Sequence, residues 1–295
     1  MAEKEPAVRQ TTGTDASVDE ARSFATQVGR EWPVDSGKRD KGRESGGRWK
    51  ALLGFLSPVV VLILWEIAVP LGLVDGRFFP PPHSIAGTFW RMTVDGTLFT
   101  DVRVSLVRII LGFLAGAIPG LLIGLSMGLF RPVRWILRPV ISATYPIPKL
   151  ALMPLIILMF GFGETQKVIT IALGTFFMVL INTMAGVLNL DKIYLDVAKN
   201  YGASRSDFYT RIALPGAMPL IFTGLELGMG MALLLIVAAE MTGAISGIGY
   251  RIWAAQAVFK TKEMFVAFIL ISLLGYLFAE GLSSLQRRVI PWKQL

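Results

Sequence analysis

The sequence predicts an all-α integral membrane protein with six transmembrane helices. Six apolar runs of about 20 residues recur along the chain, the length at which a helix rising about 1.5 Å per residue crosses the hydrocarbon core. Only 17% of the residues are charged and 53% are hydrophobic, whereas a soluble domain carries nearer a quarter charged. The basic residues divide unevenly between alternate connectors, as expected when charge fixes topology. Helix is required rather than preferred, since an open strand would leave backbone groups unsatisfied in lipid.

Residues 1–48 are polar and poor in large aliphatics. Such a segment cannot bury enough apolar surface to offset its ordering entropy, so a disordered cytoplasmic tail is expected. It is not a signal peptide, because Glu3 and Glu5 open it and no apolar stretch follows nearby. Residues 49–295 form the predicted transmembrane domain. The spans are placed at 52–71, 104–130, 141–160, 168–188, 220–239 and 264–282, with a polar loop at 190–215. With six spans the termini share one side. That side, with the 190–215 loop, carries twice the Lys and Arg of the other and is assigned to the cytoplasm. The predicted location is a multi-pass protein of the plasma membrane.

The absence of cysteine and the presence of a single histidine exclude a disulfide frame, a thiol nucleophile and a His-pair metal site. Net charge is +8. It is concentrated in the tail and in loops flanking apolar runs, and no groove-reading motif accompanies it, so nucleic acid is not an expected partner.

On the outer side, prolines exclude helix through Phe78–His83, and Ser84 is placed to cap a short helix from Ile85 to Met92. A second outer stretch, 247–263, sets Ile252, Trp253, Gln256 and Phe259 around an amphipathic turn. Both suit an external contact or an interfacial connector. The second run holds Gly112, Gly116, Gly120, Gly124 and Gly128, each four apart. Small residues at that spacing let membrane helices approach closely. Each step of four advances about 40°, so the five glycines sweep too far round for one straight partner, and several neighbours or a crossing helix are expected. Pro139, Pro146, Pro148 and Pro154 mark kinks in the third run.

Polar groups are rare in the apolar runs. Glu66, Asn182, Thr183, Glu226 and Glu240 are the candidates for a translocation pathway, and interhelical hydrogen bonding is the alternative for each. Glu280, near a headgroup boundary, and His83, in an outer turn, receive no role.

The 190–215 loop is long, mixes both charges and carries its own helical pattern. Gly202 permits a tight turn, Ser204 is placed to cap a second helix through Phe208, Tyr209 and Ile212, and Pro215 is expected to stop it. The tip Ala203-Ser204-Arg205-Ser206-Asp207-Phe208 suits insertion into a partner's groove.

Asp196-Val197-Ala198, three residues, Gly202, nine residues, then Ile212-Ala213-Leu214-Pro215 resembles the coupling loop of ATP-binding-cassette importer permeases. That family has Glu-Ala-Ala at the first positions. Phe79-Pro80-Pro81-Pro82, Ser105 to Arg108 with Gly112-Phe113, Pro154-Leu155 through Phe160-Gly161, and Ala239-Glu240-Met241 through Gly247-Ile248-Gly249 are similar to its sulfonate, nitrate and taurine group. The resemblance covers roughly 50–290. It implies the type I importer permease architecture, with cytoplasmic coupling helices. It also implies a second permease copy, two cytoplasmic ATPase subunits that hold ATP and Mg, and an external solute-binding protein. The implied solute is a small anion or zwitterion. The chain itself is expected to be neither an enzyme nor a cofactor carrier, and independently of the resemblance it has no phosphate-binding loop: the nearest approach, Gly42 to Gly47, is followed by Arg48 and Trp49. The alternatives are an ion-coupled secondary transporter, a membrane enzyme and an assembly protein.

Overall fold

The structure is a computed structural model that describes residues 47–191, 193, 194, 196, 200–204 and 207–292, with side chains from Leu56 onward. All but Gly47 and Arg48 of the expected tail lies outside the described residues. The chain divides into two units, Met1–Val60 and Val61–Leu295. The described part of the first is the opening of helix α1, Gly47–Ala68; the packed helices belong to the second.

Every regular element among the described residues is helical. After α1 come α2, Pro82–Val94; α3, Thr97–Leu129; α4, Arg131–Thr144; a 3-10 turn, Lys149–Leu152; α5, Met153–Phe160; and α6, Glu164–Leu188. A π-helical turn, Phe208–Ala213, leads into α7, Leu214–Met241, followed by α8, Ile248–Ala257, and α9, Thr261–Val289. Four helices among the described residues are long and apolar enough to cross a membrane: Thr97–Leu129, Glu164–Leu188, Phe208–Met241 and Thr261–Val289. They contain the second, fourth, fifth and sixth runs. Helix α1 has 22 residues, and its apolar part among the residues with described side chains is Leu56–Ala68.

The third run departs from expectation. It is not one helix over 141–160, because α4 and the Lys149–Phe160 segment meet at a bend of 86°. Pro146 and Pro148 cannot donate to the α4 ladder, and the residue before a proline is pushed out of the helical region. The freed carbonyls are capped by Lys149. Its Nζ donates to the carbonyl oxygens of Thr144 (3.2 Å), Tyr145 (2.8 Å) and Ile147 (2.8 Å) and lies 4.3 Å from the centre of the Phe177 ring. A cation at a helix C-terminus meets both the orphan carbonyls and the negative end of the dipole.

Two other local expectations are corrected. Helix α2 starts at Pro82, ahead of Ile85, and Ser84 lies within its first turn. Proline is tolerated there because its missing N–H has no helical acceptor to lose. Pro215 likewise does not end the helix that precedes it. The chain runs on as Phe208–Met241, and the Leu214 N–H reaches back to the Tyr209 carbonyl across the π turn.

The core is a layer of α3, α6 and α7, with α6 packed along both others. Ile109, Ile171, Val179, Leu235 and Ile236 are fully buried between them. A second cluster joins α2, the start of α3, α8 and α9 through Ile85, Leu98, Ile248, Ile252 and Val266. All five stripe glycines face α6, a single partner. A Cβ on Gly112 would lie 2.5 Å from Ile171 Cβ, on Gly120 2.8 Å from the Phe176 carbonyl, on Gly124 2.8 Å from Thr183 Cβ, and on Gly128 2.5 Å from Val187 Cβ; on Gly116 it would strike the Ala172 carbonyl. Of the two expected arrangements, the crossing helix is the one observed. Ridges of residues four apart are inclined to the axis, and α6 keeps contact by following that incline.

Because backbone atoms leave no room at Gly120, Gly120→Ala is expected to lower stability by about 1–3 kcal/mol. Gly230→Ala, whose Cβ would meet nothing within 4 Å, is expected to be neutral or slightly stabilising. Thermal unfolding of the two detergent-solubilised variants checks the contrast.

Candidate functional site

Asp101, Ser105 and Arg108 stand at i, i+4 and i+7, so one face of α3 carries three polar groups; all are buried. Helix α3 has 33 residues and is about 50 Å long, which exceeds the roughly 30 Å apolar layer by several turns. These groups occupy its first three turns. They meet Glu164, the first residue of α6, and Glu240, the penultimate residue of α7.

Arg108 is the centre. Its Nε and Nη2 donate to the two Glu164 oxygens at 2.5 Å, and Nη1 donates to Glu240 Oε1 and to the Ser246 carbonyl, both at 2.8 Å. Glu240 is 1% exposed. It also accepts from Ser105 Oγ and, at 2.8 Å, from the Gly249 N–H. The start of α8 is thereby pinned by three successive N–H groups: Gly247 to Asp101 (2.9 Å), Ile248 to Ser105 Oγ (2.9 Å) and Gly249 to Glu240. Gly247 has φ +122° and lies against the Glu240 carboxylate, leaving no room for a side chain. Asp101 in turn holds Arg251 of α8 at 2.8 Å. Lys167, buried one turn into α6, donates to the Gly163 carbonyl at 3.0 Å.

This clasp joins α3, α6, α7 and α8 at one end of the layer. The pathway candidates do not converge on it. Glu240 belongs to it through the contacts above. Glu66, on α1, accepts from the His83 backbone N–H (3.1 Å) and sits 2.5 Å from His83 Nδ1, so it caps the start of α2. Asn182 donates to the Met178 carbonyl of its own helix and packs by its Cβ against Gly224 of α7. Thr183 faces α3 at Gly124, fully buried. Glu226, midway along α7, lines a cavity of about 210 Å³ with Gly230 of α7 and Gly275 and Ser283 of α9.

Sequence reasoning missed Arg108, Glu164, Asp101 and Arg251 as a set. The signal was available in the i, i+4, i+7 spacing. Their partners lie 56 to 150 residues away, and no local pattern gives those. The pairing of His83 with Glu66 was missed in the same way.

The loop lies at the opposite end of the layer, between the last turn of α6 and the first of α7. Val197, Ala198, Arg205 and Ser206 fall outside the described residues. Asp196 is helical, Gly202 takes φ +66°, and Ala203 follows it, exposed. Ser204 caps as expected: its Oγ accepts from the Asp207 N–H (3.1 Å) and donates to Asp207 Oδ2 (2.5 Å). The Ser204 hydroxyl, then Arg211 at 3.2 Å, hold the Asp207 carboxyl below the usual carboxylate range. Phe208 and Tyr209 are half-buried, with Tyr209 5.8 Å from Phe130 between ring centres, whereas Tyr201 is 86% exposed. Leu214 and Pro215 open α7. The described residues hold no cluster of His, Asp or Glu able to ligate a metal.

Removing Arg108 would leave Glu240 buried and unpaired. Arg108→Met is expected to cost about 3–5 kcal/mol, and Arg108→Met combined with Glu240→Leu to cost less than the two single losses added. A double-mutant cycle on thermal unfolding reads both numbers.

Residues 120–291 match the family model for binding-protein-dependent transport system inner membrane components. The chain is 35% identical over 256 residues to a putative aliphatic sulfonates transport permease protein of Bacillus subtilis, covering 87% of this chain and 92% of that protein. It is 35% identical over 238 residues to the taurine transport system permease protein of Escherichia coli, covering 79% and 86%. It is 32% identical over 222 residues to the nitrate import permease protein of Leptolyngbya laminosa, covering 72% and 80%. These relatives are named as transport permeases, not as enzymes. The chain therefore belongs to the inner membrane components of binding-protein-dependent transport systems, as an ABC importer permease of the sulfonate, taurine and nitrate group.

Proposed function

We propose that the chain is the membrane-spanning subunit of an ATP-driven importer for a small anionic or zwitterionic solute, such as a sulfonate, taurine or nitrate. It would work as two copies, with two ATPase subunits on the cytoplasmic side, which hold ATP and Mg, and an external solute-binding protein. In this reading α1 is the first of six spans, and the bent pair of α4 and the Lys149–Phe160 segment is the third. Both termini and the 190–215 loop are cytoplasmic. The coupling contact is made by Asp196 to Ala198, Gly202 to Phe208, and Leu214-Pro215. Among the polar candidates, Glu226 is the best placed for the pathway, since it lines a cavity midway along its helix and a carboxylate there is costly without a use.

One observation carries the reading. The loop turns at Gly202, restarts on the Ser204 cap, and continues into Phe208–Met241 as one helix. A displacement applied at the tip therefore enters a spanning helix directly.

A chain without native cysteine makes the topology easy to test. Tyr201→Cys is expected to react with a membrane-impermeant maleimide only after cells are permeabilised; labelling of intact cells would place the loop outside and overturn the assignment. Gly202→Val strains a left-handed position by about 1–2 kcal/mol. It is expected to lower uptake per ATP hydrolysed in proteoliposomes, while Gly202→Asn retains most of it.

A further inference from the structure

At the clasp end, beyond the polar cluster, α2, the start of α3, α8 and the α8–α9 connection flank an open cavity of about 610 Å³. That size lies within the range of small-molecule sites. Its walls carry four cations, Arg91, Arg251, Lys260 and Lys262, against two carboxylates, Asp95 and Glu263. Counting Asp101, which pairs with Arg251, three carboxylates meet the four cations and one positive charge is left over. Glu263 alone is shared by Arg91 (3.8 Å) and Lys260 (3.3 Å), and Lys262 has no ion-pair partner among the described residues.

Arg251 is preorganised. Its Nε and Nη2 both meet Asp101 Oδ2 at 2.8 Å, and Asp101 is fixed by the Gly247 N–H. A guanidinium held on one edge by a buried carboxylate presents its remaining N–H groups in a fixed plane, suited to a flat or tetrahedral oxyanion. Thr97 and Thr261 also line the cavity, and they are the first residues of α3 and α9, neither of which has a side-chain cap. The positive ends of two long dipoles thus reinforce the cations. At the rim stands Phe259, 81% exposed and at φ +55°, the one non-glycine residue with positive φ among those described. Its left-handed backbone is the stop of α8, where the Lys260 N–H returns to the Ala255 carbonyl at 2.8 Å and the Phe259 N–H to that of Gln256 at 3.1 Å, and this sets the ring at the rim.

We propose that this cavity is an oxyanion site on the permease itself, taking a compact sulfonate-like head group at Arg251 and the lysines, with Phe259 against any attached carbon. That its occupant is transported rests on the importer reading; that it binds does not. The same chemistry is offered by a free solute and by a lipid phosphate, and the test separates them.

The full chain is placed in phosphatidylcholine nanodiscs and titrated calorimetrically with ethanesulfonate. Saturable binding is expected, weakened about tenfold or more by Lys260→Glu with Lys262→Glu, two exposed positions outside the clasp, and abolished by Arg251→Met. Repeating the titration with phosphatidylglycerol in the disc identifies the source: unchanged affinity assigns the site to the free anion, and competition assigns it to the headgroup. Absence of saturable binding in phosphatidylcholine, or equal affinity in the wild type and the double lysine variant, overturns the site. ATP-driven uptake by the assembled transporter is measured separately. If uptake persists without binding, the site alone fails; if binding persists without uptake, the importer reading fails.

Discussion

A guanidinium withdrawn from water has to be met by opposite charge where it stands, and Arg108 is met from two helices at once. Glu164 offers both oxygens from the start of α6, and Glu240 closes the other edge from the end of α7. With Ser105 and Asp101 on the same face of α3, the cluster also receives the first N–H groups of α8. Four helix ends are therefore registered to within hydrogen-bond tolerance. A buried pair of this kind adds little net stability over a well-packed apolar substitute, but breaking it is costly, so its main effect is to exclude other arrangements.

The helices between those ends are joined by a different force. Lipid is as apolar as a leucine side chain, so water expulsion does not drive spanning helices together, and close contact has to do so. The glycines of α3 allow it, bringing the α6 carbonyls of Ala172, Phe176 and Leu180 within reach of the α3 backbone. The same economy of side chain recurs between α6 and α7 at Gly224 and Gly228, which lie against Asn182 and Thr175. Asn182 thus contributes its Cβ to packing while its amide is satisfied within its own helix.

Much of this was legible in the sequence. Runs two, four, five and six lie in helices long and apolar enough to cross a membrane, a property that length and apolarity alone decide. The Ser204 cap and the Gly202 turn were legible because both are local rules. The glycine seam was legible only as two alternatives, since choosing between them needed the path of α6 as well as the period of α3. The bend at Thr144–Lys149 was visible only as irregularity. Four prolines say that a helix is interrupted, but they do not say that Lys149 will gather the freed carbonyls. The clasp was least accessible. Arg108 and Glu240 are separated by 132 residues, and each read alone as a boundary charge or a polar group in an apolar run.

Helix Phe208–Met241 has 34 residues. One of its ends is contiguous with the Ser204–Asp207 turn, and the other carries Glu240. Pro215 and Pro219 are accommodated without interrupting its helical assignment. No break in the helix separates Phe208 from the carboxylate facing Arg108, some 50 Å away at about 1.5 Å per residue. One continuous helix thus has the polar loop at its first residue and, one residue from its last, a carboxylate held by an arginine of another helix.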